Sequence, residues 1–108
     1  MTNGVKKVLL TGSAGYVANQ LLPTFLDRYE LILLDSKTTN QNGIATDRIH
    51  SVDLVDPDRT NYAHYFEGVD AVVHLARKKS SGPSLDHFFD EKANVEMTYN
   101  VLRSAYEA

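Results

Sequence analysis

The sequence predicts an α/β fold in which helices cover both faces of a parallel β-sheet. Continuous apolar runs recur along the chain, and such runs suit parallel strands that are buried on both faces. Segments with apolar residues at helical spacing separate these runs. One run, Val8–Leu10, leads into a glycine turn that opens a helix. Strands that alternate with helices favour right-handed crossovers and therefore a parallel sheet.

The amino-terminal segment predicts a strand and a helix. Val5–Thr11 is apolar after a short polar start and forms the first predicted strand. From Tyr16 to Tyr29 the apolar residues recur at helical spacing, which predicts an amphipathic helix. Pro23 lies inside this pattern and predicts a kink near residues 19–22, because proline removes a helical hydrogen bond.

Two further strands are predicted before the middle of the chain. Leu31–Leu34 is a short buried run that ends at Asp35. The polar stretch Ser36–Arg48 is typical of an irregular loop. Ile49–Leu54 then forms a third, weaker strand.

The second half predicts a short helix and a fourth strand. Asp56 is a candidate N-cap, with Pro57 at the first helical position, and this helix runs to Gly68. Val69–Leu75 forms the fourth strand, and Ala76–Pro83 follows it as a loop.

A long amphipathic helix is predicted for the rest of the chain, with Ser84 as its cap. Its apolar residues form a broad surface: Leu85, Phe88, Phe89, Val95, Met97, Val101, Leu102 and Ala105.

Composition restricts the partners and the location. The 108 residues fit one domain, and eleven basic against fourteen acidic residues produce no field that attracts nucleic acid or an anionic membrane. There is no cysteine, and the four histidines follow no ligand spacing, so no metal site is predicted. No apolar run can cross a bilayer, and the first residues lack a signal-peptide pattern. We therefore expect a soluble, cytoplasmic protein.

The glycine turn is the strongest indication of function. Gly12 can adopt backbone angles that are closed to other residues, and Gly15 lets the main chain approach a pyrophosphate. The N–H groups of the helix that follows point at such an anion. Asp35 ends the next strand about 20 residues later, where a carboxylate accepts hydrogen bonds from a ribose diol. Together these features predict a dinucleotide site, against the alternatives of a plain tight turn and a solvated acid.

Asp35 also bears on which dinucleotide binds. Its carboxylate would repel the 2′-phosphate of NADP and pair with the free ribose hydroxyls of NAD, so NAD is favoured. Lys37, two residues later, is a cation within reach of a 2′-phosphate, although a lysine on a polar loop is more often solvated.

These residues resemble the short-chain dehydrogenase/reductase superfamily, in its extended branch of NAD-dependent epimerases and dehydratases. The segment Thr11–Ala18 is similar to the Thr-Gly-x-x-Gly-x-x-Gly turn of that branch, with Ala18 in place of the third glycine. The resemblance implies a Rossmann-type α/β/α domain of three layers. Its parallel sheet has about four strands in the order 3-2-1-4, which is truncated relative to the full family fold. Within the turn it assigns cofactor contacts to Gly12, Ser13, Gly15, Tyr16 and Val17.

Three further segments carry the resemblance. Asp53-Leu54 is similar to the acid-plus-apolar pair that contacts adenine, although an ordinary strand end explains it equally well. Val72–Ala76 resembles a His-Leu-Ala segment whose backbone lines the cofactor near its nicotinamide, which implies contacts from Leu75 and Ala76. Arg77 departs from the small residue that is usual there, and it either reaches the cofactor phosphates or points to solvent.

The last segment is similar to the Asn-Val-x-Gly-Thr-x-Asn-Val helix of the family, and it begins at Asn94. The resemblance makes Asn94 a residue that supports the active-site backbone. His74 is interpreted as a packed residue at a strand end, with no proton transfer assigned to it.

No catalytic residue is assigned, because the Tyr-x-x-x-Lys pair of the family is absent from these 108 residues. The nearest pattern, Tyr99 to Arg103, has arginine in place of lysine. It lies on the helix that matches the Asn-Val segment, ahead of where the family places its catalytic helix. We therefore interpret the chain as the NAD-binding half of an epimerase, a dehydratase or a uronate-type sugar dehydrogenase, inactive alone, with its sugar-binding region elsewhere. The alternatives are a stand-alone nucleotide-binding or redox-sensing module, and an interaction domain that has lost its ligand.

Self-association is also predicted. The fourth strand, Val69–Leu75, would lie at an open sheet edge, and the last helix would expose part of its apolar surface.

Overall fold

The sheet is parallel throughout, with the strand order expected from the sequence. The computed structural model describes residues 4–36, 48–78 and 87–108. Its strands are β1 (Lys7–Thr11), β2 (Glu30–Asp35), β3 (Ile49–Ser51) and β4 (Ala71–His74). They lie in the order β3-β2-β1-β4, and every pairing between neighbours is parallel. The predicted Rossmann-type architecture is therefore confirmed.

Within the described residues, two α-helices flank the sheet. Helix α1 spans Tyr16–Arg28 and continues past Pro23. Helix α2 spans Phe88–Glu107. The predicted cap at Ser84, the start of its apolar surface at Leu85, Lys37 and parts of both predicted loops (37–47 and 79–83) lie outside the described residues.

The prediction of one short helix that begins at Asp56 and Pro57 and runs to Gly68 is wrong in its start and its continuity. In its place are two short 3₁₀-helices, Arg59–Asn61 and Ala63–Phe66. The cap of the first one is Asp58, whose side chain accepts a hydrogen bond from the backbone N–H of Thr60.

Competition between two neighbouring carboxylates explains this difference. The Asp56 side chain accepts from the backbone N–H of Asp58 at 2.9 Å and from Nδ2 of Asn61 at 2.7 Å. Asp58 makes the same kind of bond to Thr60, and its backbone angles, φ −82° and ψ 89°, lie outside the helical region, so a helix that begins at Pro57 would be interrupted there.

Three strands are shorter than the apolar runs suggested. Val5 is 48% exposed and precedes β1. After β3, the N–H of Val52 still donates to the Asp35 carbonyl at 2.9 Å, but the chain then turns at Asp53. Before β4, the N–H of Val69 donates to the Phe66 carbonyl and belongs to the preceding turn.

Alternate strand residues point to opposite sides of the sheet, and a core of buried residues lies on each side. One core lies under α1 and is formed by Val8, Leu10, Ala18, Leu22, Leu31, Leu33 and Ile49. The other lies under α2 and the 3₁₀-helices and is formed by Leu9, Leu34, Leu54, Tyr62, Phe66, Met97 and Val101. These are the two helical layers that the continuous apolar runs predicted.

The carboxyl ends of the strands meet at one edge of the sheet, which we call the carboxyl edge. It carries Thr11, Asp35, Ser51 and His74 at the ends of their strands. The chain passes from β3 on one side of β1 to β4 on the other, so the strand order reverses beside β1. In open α/β sheets, ligands bind at such a switch point. Within the described residues, no helix is long and apolar enough to cross a membrane.

Candidate functional site

The glycine turn connects β1 to α1 at the carboxyl edge. Gly12 has φ +70°, in the left-handed region that favours glycine. The N–H of Gly15 donates to the Gly12 carbonyl at 2.9 Å and closes the turn. The Gly15 carbonyl then accepts from the N–H of Asn19 at 3.1 Å, which is the first hydrogen bond of the helix. The turn thus brings the start of α1 close behind the end of β1.

The amino terminus of α1 has the geometry and charge that suit an anion. Its N-cap is Gly15, which has no side chain to cap the helix, and the first turn contains no acidic residue. The first N–H groups of a helix have no carbonyl partner within it, and they carry the positive end of the helix dipole. Tyr16 and Val17, the first two helical residues, are 66% and 54% exposed. A phosphate can therefore reach this turn from solvent and supply the missing cap.

Gly12 has a second role that the sequence did not indicate. A Cβ built on Gly12 would lie 2.8 Å from the Ala76 backbone nitrogen and 2.8 Å from the Leu75 carbonyl carbon. Both atoms belong to the backbone that leaves β4, so no side-chain movement could relieve the collision. The absence of a side chain at Gly12 lets the exits of β1 and β4 lie against each other.

Asp35 lies against the glycine turn. One of its carboxylate oxygens, Oδ2, accepts the N–H of Ala14 at 2.9 Å, and the side chain is half-buried. This contact across 21 residues brings together the two features from which the sequence predicted a dinucleotide site.

Ser13 points into the protein rather than into the site. It is fully buried, its hydroxyl donates to the Leu10 carbonyl at 2.6 Å, and its N–H donates to the Leu34 carbonyl at 3.2 Å. Ser13 therefore joins the ends of β1 and β2 and has no surface to offer a ligand.

The Asp53-Leu54 pair is split between surface and core. Asp53 is exposed just beyond β3, and its side chain accepts the N–H of Val55 at 3.1 Å. Leu54 is 3% exposed and belongs to the core under α2. Within this pair, Asp53 is therefore the residue whose side chain a ligand can reach.

The Thr11 hydroxyl holds the exit of β4. Its oxygen accepts the N–H of Leu75 at 3.0 Å and the N–H of Ala76 at 3.1 Å. The same oxygen lies 2.6 Å from Nδ1 of His74. A hydroxyl oxygen has two lone pairs, which the two N–H groups use, so its proton is left for the imidazole. Nδ1 of His74 is therefore the acceptor, and Nε2 carries the ring proton.

His74 links this junction to α2. Its Nε2 lies 3.3 Å from Oγ1 of Thr98, and the Thr98 hydroxyl donates to the Asn94 carbonyl at 3.0 Å. Burial lowers the pKa of His74 below its usual range. Protonation would also place an N–H donor against the Thr11 hydroxyl, whose lone pairs are already occupied. His74 is thus a neutral link between strand and helix.

Asn94 clamps the segment that follows β4. Its Oδ1 accepts the N–H of Lys78 at 2.6 Å, and its Nδ2 donates to the Lys78 carbonyl at 3.1 Å. Asn94 therefore fixes the backbone of Lys78 beyond β4. Arg77 is exposed between this clamp and Ala76, at the open side of the carboxyl edge. Among the described residues, no group of three or more histidine, aspartate or glutamate side chains could hold a metal ion.

The chain matches a known family over almost its whole length. A family model described as the NAD dependent epimerase/dehydratase family matches residues 8–108. Among curated proteins, the chain is similar to UDP-glucose 4-epimerase 2 of Oryza sativa subsp. japonica, with 30% identity over 116 aligned positions. That alignment covers 92% of this chain and 28% of the rice protein.

Solved structures share the fold. A short-chain dehydrogenase/reductase superfamily protein from Agrobacterium tumefaciens, with bound NAD, is 27% identical and aligns with a TM-score of 0.68 over 92% of this chain. A UDP-N-acetylglucosamine 4-epimerase from Methanobrevibacter ruminantium, 20% identical, aligns with a TM-score of 0.73 over 93%. An L-threonine dehydrogenase from Phytophthora infestans, 22% identical, aligns with a TM-score of 0.71 over 94%. The chain spans only 28% to 34% of the length of these four proteins.

The β1–β4 contact can be tested by comparing two glycines. Gly68 has φ +73°, and nothing lies within 4 Å of a Cβ built on it. We expect Gly68→Ala to lower the free energy of unfolding by about 1–2 kcal/mol, the cost of a side chain in left-handed geometry. Gly12→Ala adds a backbone collision and should cost about 2–5 kcal/mol in total. Urea denaturation measures both, and equal losses would contradict the packing role of Gly12.

The hydrogen bonds of His74 predict its tautomer and its pH response. Long-range ¹H–¹⁵N NMR should show a neutral ring that is protonated at Nε2 and titrates below the usual range. Because the folded pKa is lowered, the contribution of His74 to stability is complete above the ordinary histidine range and decreases as the pH falls through the range below it.

Unfolding experiments at a series of pH values check this sign. His74→Gln should remove that part of the pH dependence. An Nδ1-protonated ring, or a variant with an unchanged pH profile, would contradict the assignment.

Proposed function

The chain belongs to the NAD dependent epimerase/dehydratase family, and we propose that residues 1–108 are the amino-terminal half of its NAD-binding domain. The uncapped start of α1 carries this proposal, because it lies beside an acidic side chain at the switch point of a parallel sheet. That combination suits a ligand with a pyrophosphate and a ribose.

The pyrophosphate binds over the glycine turn in this proposal. Gly12 and Gly15 keep the turn free of side chains, and the N–H groups at Tyr16 and Val17 supply hydrogen bonds to the phosphate oxygens. NAD in this position supplies the hydride acceptor of the family's chemistry. The chain's own contribution is to bind and orient it.

The adenosine half lies toward β2 and β3. Asp35 is placed to accept hydrogen bonds from the ribose, and the exposed Asp53 turn lies next to it for the adenine. Ser13 and Leu54 act indirectly, because both are buried and hold the backbone behind these contacts. The charge of Asp35 supports NAD as the ligand in preference to NADP.

The nicotinamide half lies toward the exit of β4. Leu75 and Ala76 offer backbone there, and Arg77 offers a cation to the phosphates or to a bound substrate. Asn94 keeps this segment in place through Lys78.

The reaction belongs to a complete protein that includes this chain. We propose an epimerase or dehydratase of sugar nucleotides, or a uronate-type sugar dehydrogenase, in the cytoplasm. The similarity to a UDP-glucose 4-epimerase supports a sugar-nucleotide substrate. Because the 108 residues contain no Tyr-x-x-x-Lys, this chain alone should bind NAD without transforming a substrate.

We further propose that α2 pairs with α2 of a second copy. The side of α2 opposite its buried residues carries exposed apolar side chains, which we call the outer stripe: Phe88, Val95, Tyr99, Leu102 and Tyr106. The last four follow the 4-3-4 spacing of helices that pack along a seam. Antiparallel pairing about a two-fold axis near residue 100 would set Val95 against Tyr106 and Tyr99 against Leu102 of the second copy.

The NAD assignment predicts a change of preference in Asp35→Ala. Wild type should bind NAD more tightly than NADP in calorimetric titrations. Asp35→Ala removes the repulsion of the 2′-phosphate and should reduce that preference by about tenfold or more. Because Asp35 also accepts the Ala14 N–H, absolute affinities for both dinucleotides should decrease.

Asp70→Ala is the matched control. Asp70 also accepts a backbone N–H, that of Lys7 at 2.8 Å, but it lies at the opposite edge of the sheet. Asp70→Ala should leave the preference for NAD over NADP unchanged. If Asp35→Ala also keeps that preference, the proposed role of Asp35 at the ribose is wrong. If the wild-type chain binds neither dinucleotide, the proposed function is wrong.

Self-association should depend on the outer stripe. Sedimentation equilibrium should show a dimer of the wild-type chain. Leu102→Glu should raise the dissociation constant at least about tenfold, since a buried unpaired charge is costly. Gln20→Glu, an exposed substitution on α1, serves as the control. A wild-type chain that stays monomeric at millimolar concentration would contradict this surface.

A further inference from the structure

Asn100 is buried in the middle of α2, and its side chain contacts the turn that follows β3. It is 6% exposed, and its Nδ2 donates to the Leu54 carbonyl at 2.8 Å and lies 3.4 Å from the Asp56 carbonyl. Asparagine is a weak helix former, and burying its amide without partners is costly. The two carbonyls explain why an amide can occupy this position.

The segment that Asn100 contacts is the Asp53 turn. This turn is closed by hydrogen bonds from the N–H of Val55 to Asp53 Oδ1 and from the N–H of Asp56 to the Asp53 carbonyl, each 3.1 Å long. Neither of these two bonds uses the Leu54 carbonyl. Within the described residues, the hydrogen bond to that carbonyl comes from Asn100.

The Leu54 and Asp56 carbonyls differ in whether a hydrogen-bond donor remains when Asn100 is replaced. The Asp56 carbonyl also accepts the Tyr62 hydroxyl at 2.8 Å, so it keeps a donor. The Leu54 carbonyl lies on a residue that is 3% exposed and would lose its protein donor. Loss of Asn100 therefore affects mainly the tip of the turn, between Asp53 and Val55.

The turn is connected directly to the ribose acid. The N–H of Val52, just before the turn, donates to the Asp35 carbonyl at 2.9 Å. A turn displaced from α2 would therefore move relative to the Asp35 carboxylate, and the surface offered to adenosine would change. The backbone on the nicotinamide side would keep its position, because Asn94 and Thr11 hold it separately.

We propose that Asn100 is a positioning residue for the adenosine half of the bound dinucleotide. It acts through the Asp53 turn and does not touch the ligand. This proposal rests on the function proposed above, and it assigns the two halves of the binding site to two different asparagines. Asn100 orders the adenosine side of the site, while Asn94 orders the nicotinamide side.

Fragment binding tests this division. ADP represents the adenosine half of the ligand, and nicotinamide mononucleotide represents the other half. Asn100→Asp keeps the size of the side chain, removes its N–H donor and sets a carboxylate against two carbonyls. It should weaken ADP binding to the 108-residue chain by about tenfold and leave nicotinamide mononucleotide binding unchanged.

Ser104→Ala is the matched control. Ser104 is 2% exposed on the same face of α2, one turn further on, and its hydroxyl has no hydrogen-bond partner among the described residues. This variant should bind both fragments as wild type does. Amide hydrogen exchange without ligand provides a second measurement: exchange at Val55 and Asp56 should become faster in Asn100→Asp and not in Ser104→Ala.

The outcomes separate this proposal from the one beneath it. Wild type that binds no ADP overturns the proposed function and this inference with it. Wild type that binds ADP, with unchanged ADP affinity in folded Asn100→Asp, overturns the inference alone. Equal weakening of both fragments also overturns it, because that result describes a general loss of structure. Asn100→Ala provides the same comparison if the aspartate variant does not fold.

Discussion

The close contact between the exits of β1 and β4 is the constraint on which the site depends. Two features at the end of β1 make it possible: Gly12 has no Cβ, and the Thr11 hydroxyl accepts both N–H groups of the approaching backbone. Without this contact the crevice at the switch point would be wider, and the backbone of Leu75 and Ala76 would lie further from the glycine turn. The turn is thus both the proposed anion site and a packing contact between two strands, and the second role restricts Gly12 even when no ligand is bound.

Helix α2 holds both ends of this crevice with amide side chains. Asn94 fixes the backbone at Lys78 beyond β4, and Asn100 fixes the carbonyl of Leu54 beyond β3. The two asparagines are six positions apart on the helix, a rise of about 9 Å, so one rigid element sets the separation of two loops that lie far apart in sequence. His74 adds a third link through Thr98, from the helix to the strand end between those loops.

Local patterns predicted the fold well, and long-range contacts set the limit. The parallel sheet, α1 and the position of Asp35 follow from apolar runs, helical spacing and one glycine turn, each of which is readable within a few residues. The helix start at Asp56 was wrong because Asp56 and Asp58 compete as caps, and only the closed turn shows which one succeeds. The roles of Thr11 and Asn100 depend on partners 64 and 46 residues away, and no local pattern indicates them.

The rotation of α2 about its own axis connects the crevice to the outer stripe. Turning the helix to bury an apolar residue in place of Asn100 would leave the Leu54 carbonyl without its donor, at a cost of about 1–3 kcal/mol. The amide contacts therefore fix the rotation that buries Met97 and Val101. At 3.6 residues per turn, the same rotation points Val95, Tyr99, Leu102 and Tyr106 away from the sheet. The polar contacts that hold the two loops thus also determine which apolar side chains α2 exposes on its outer side, so the two faces of this helix cannot be changed independently.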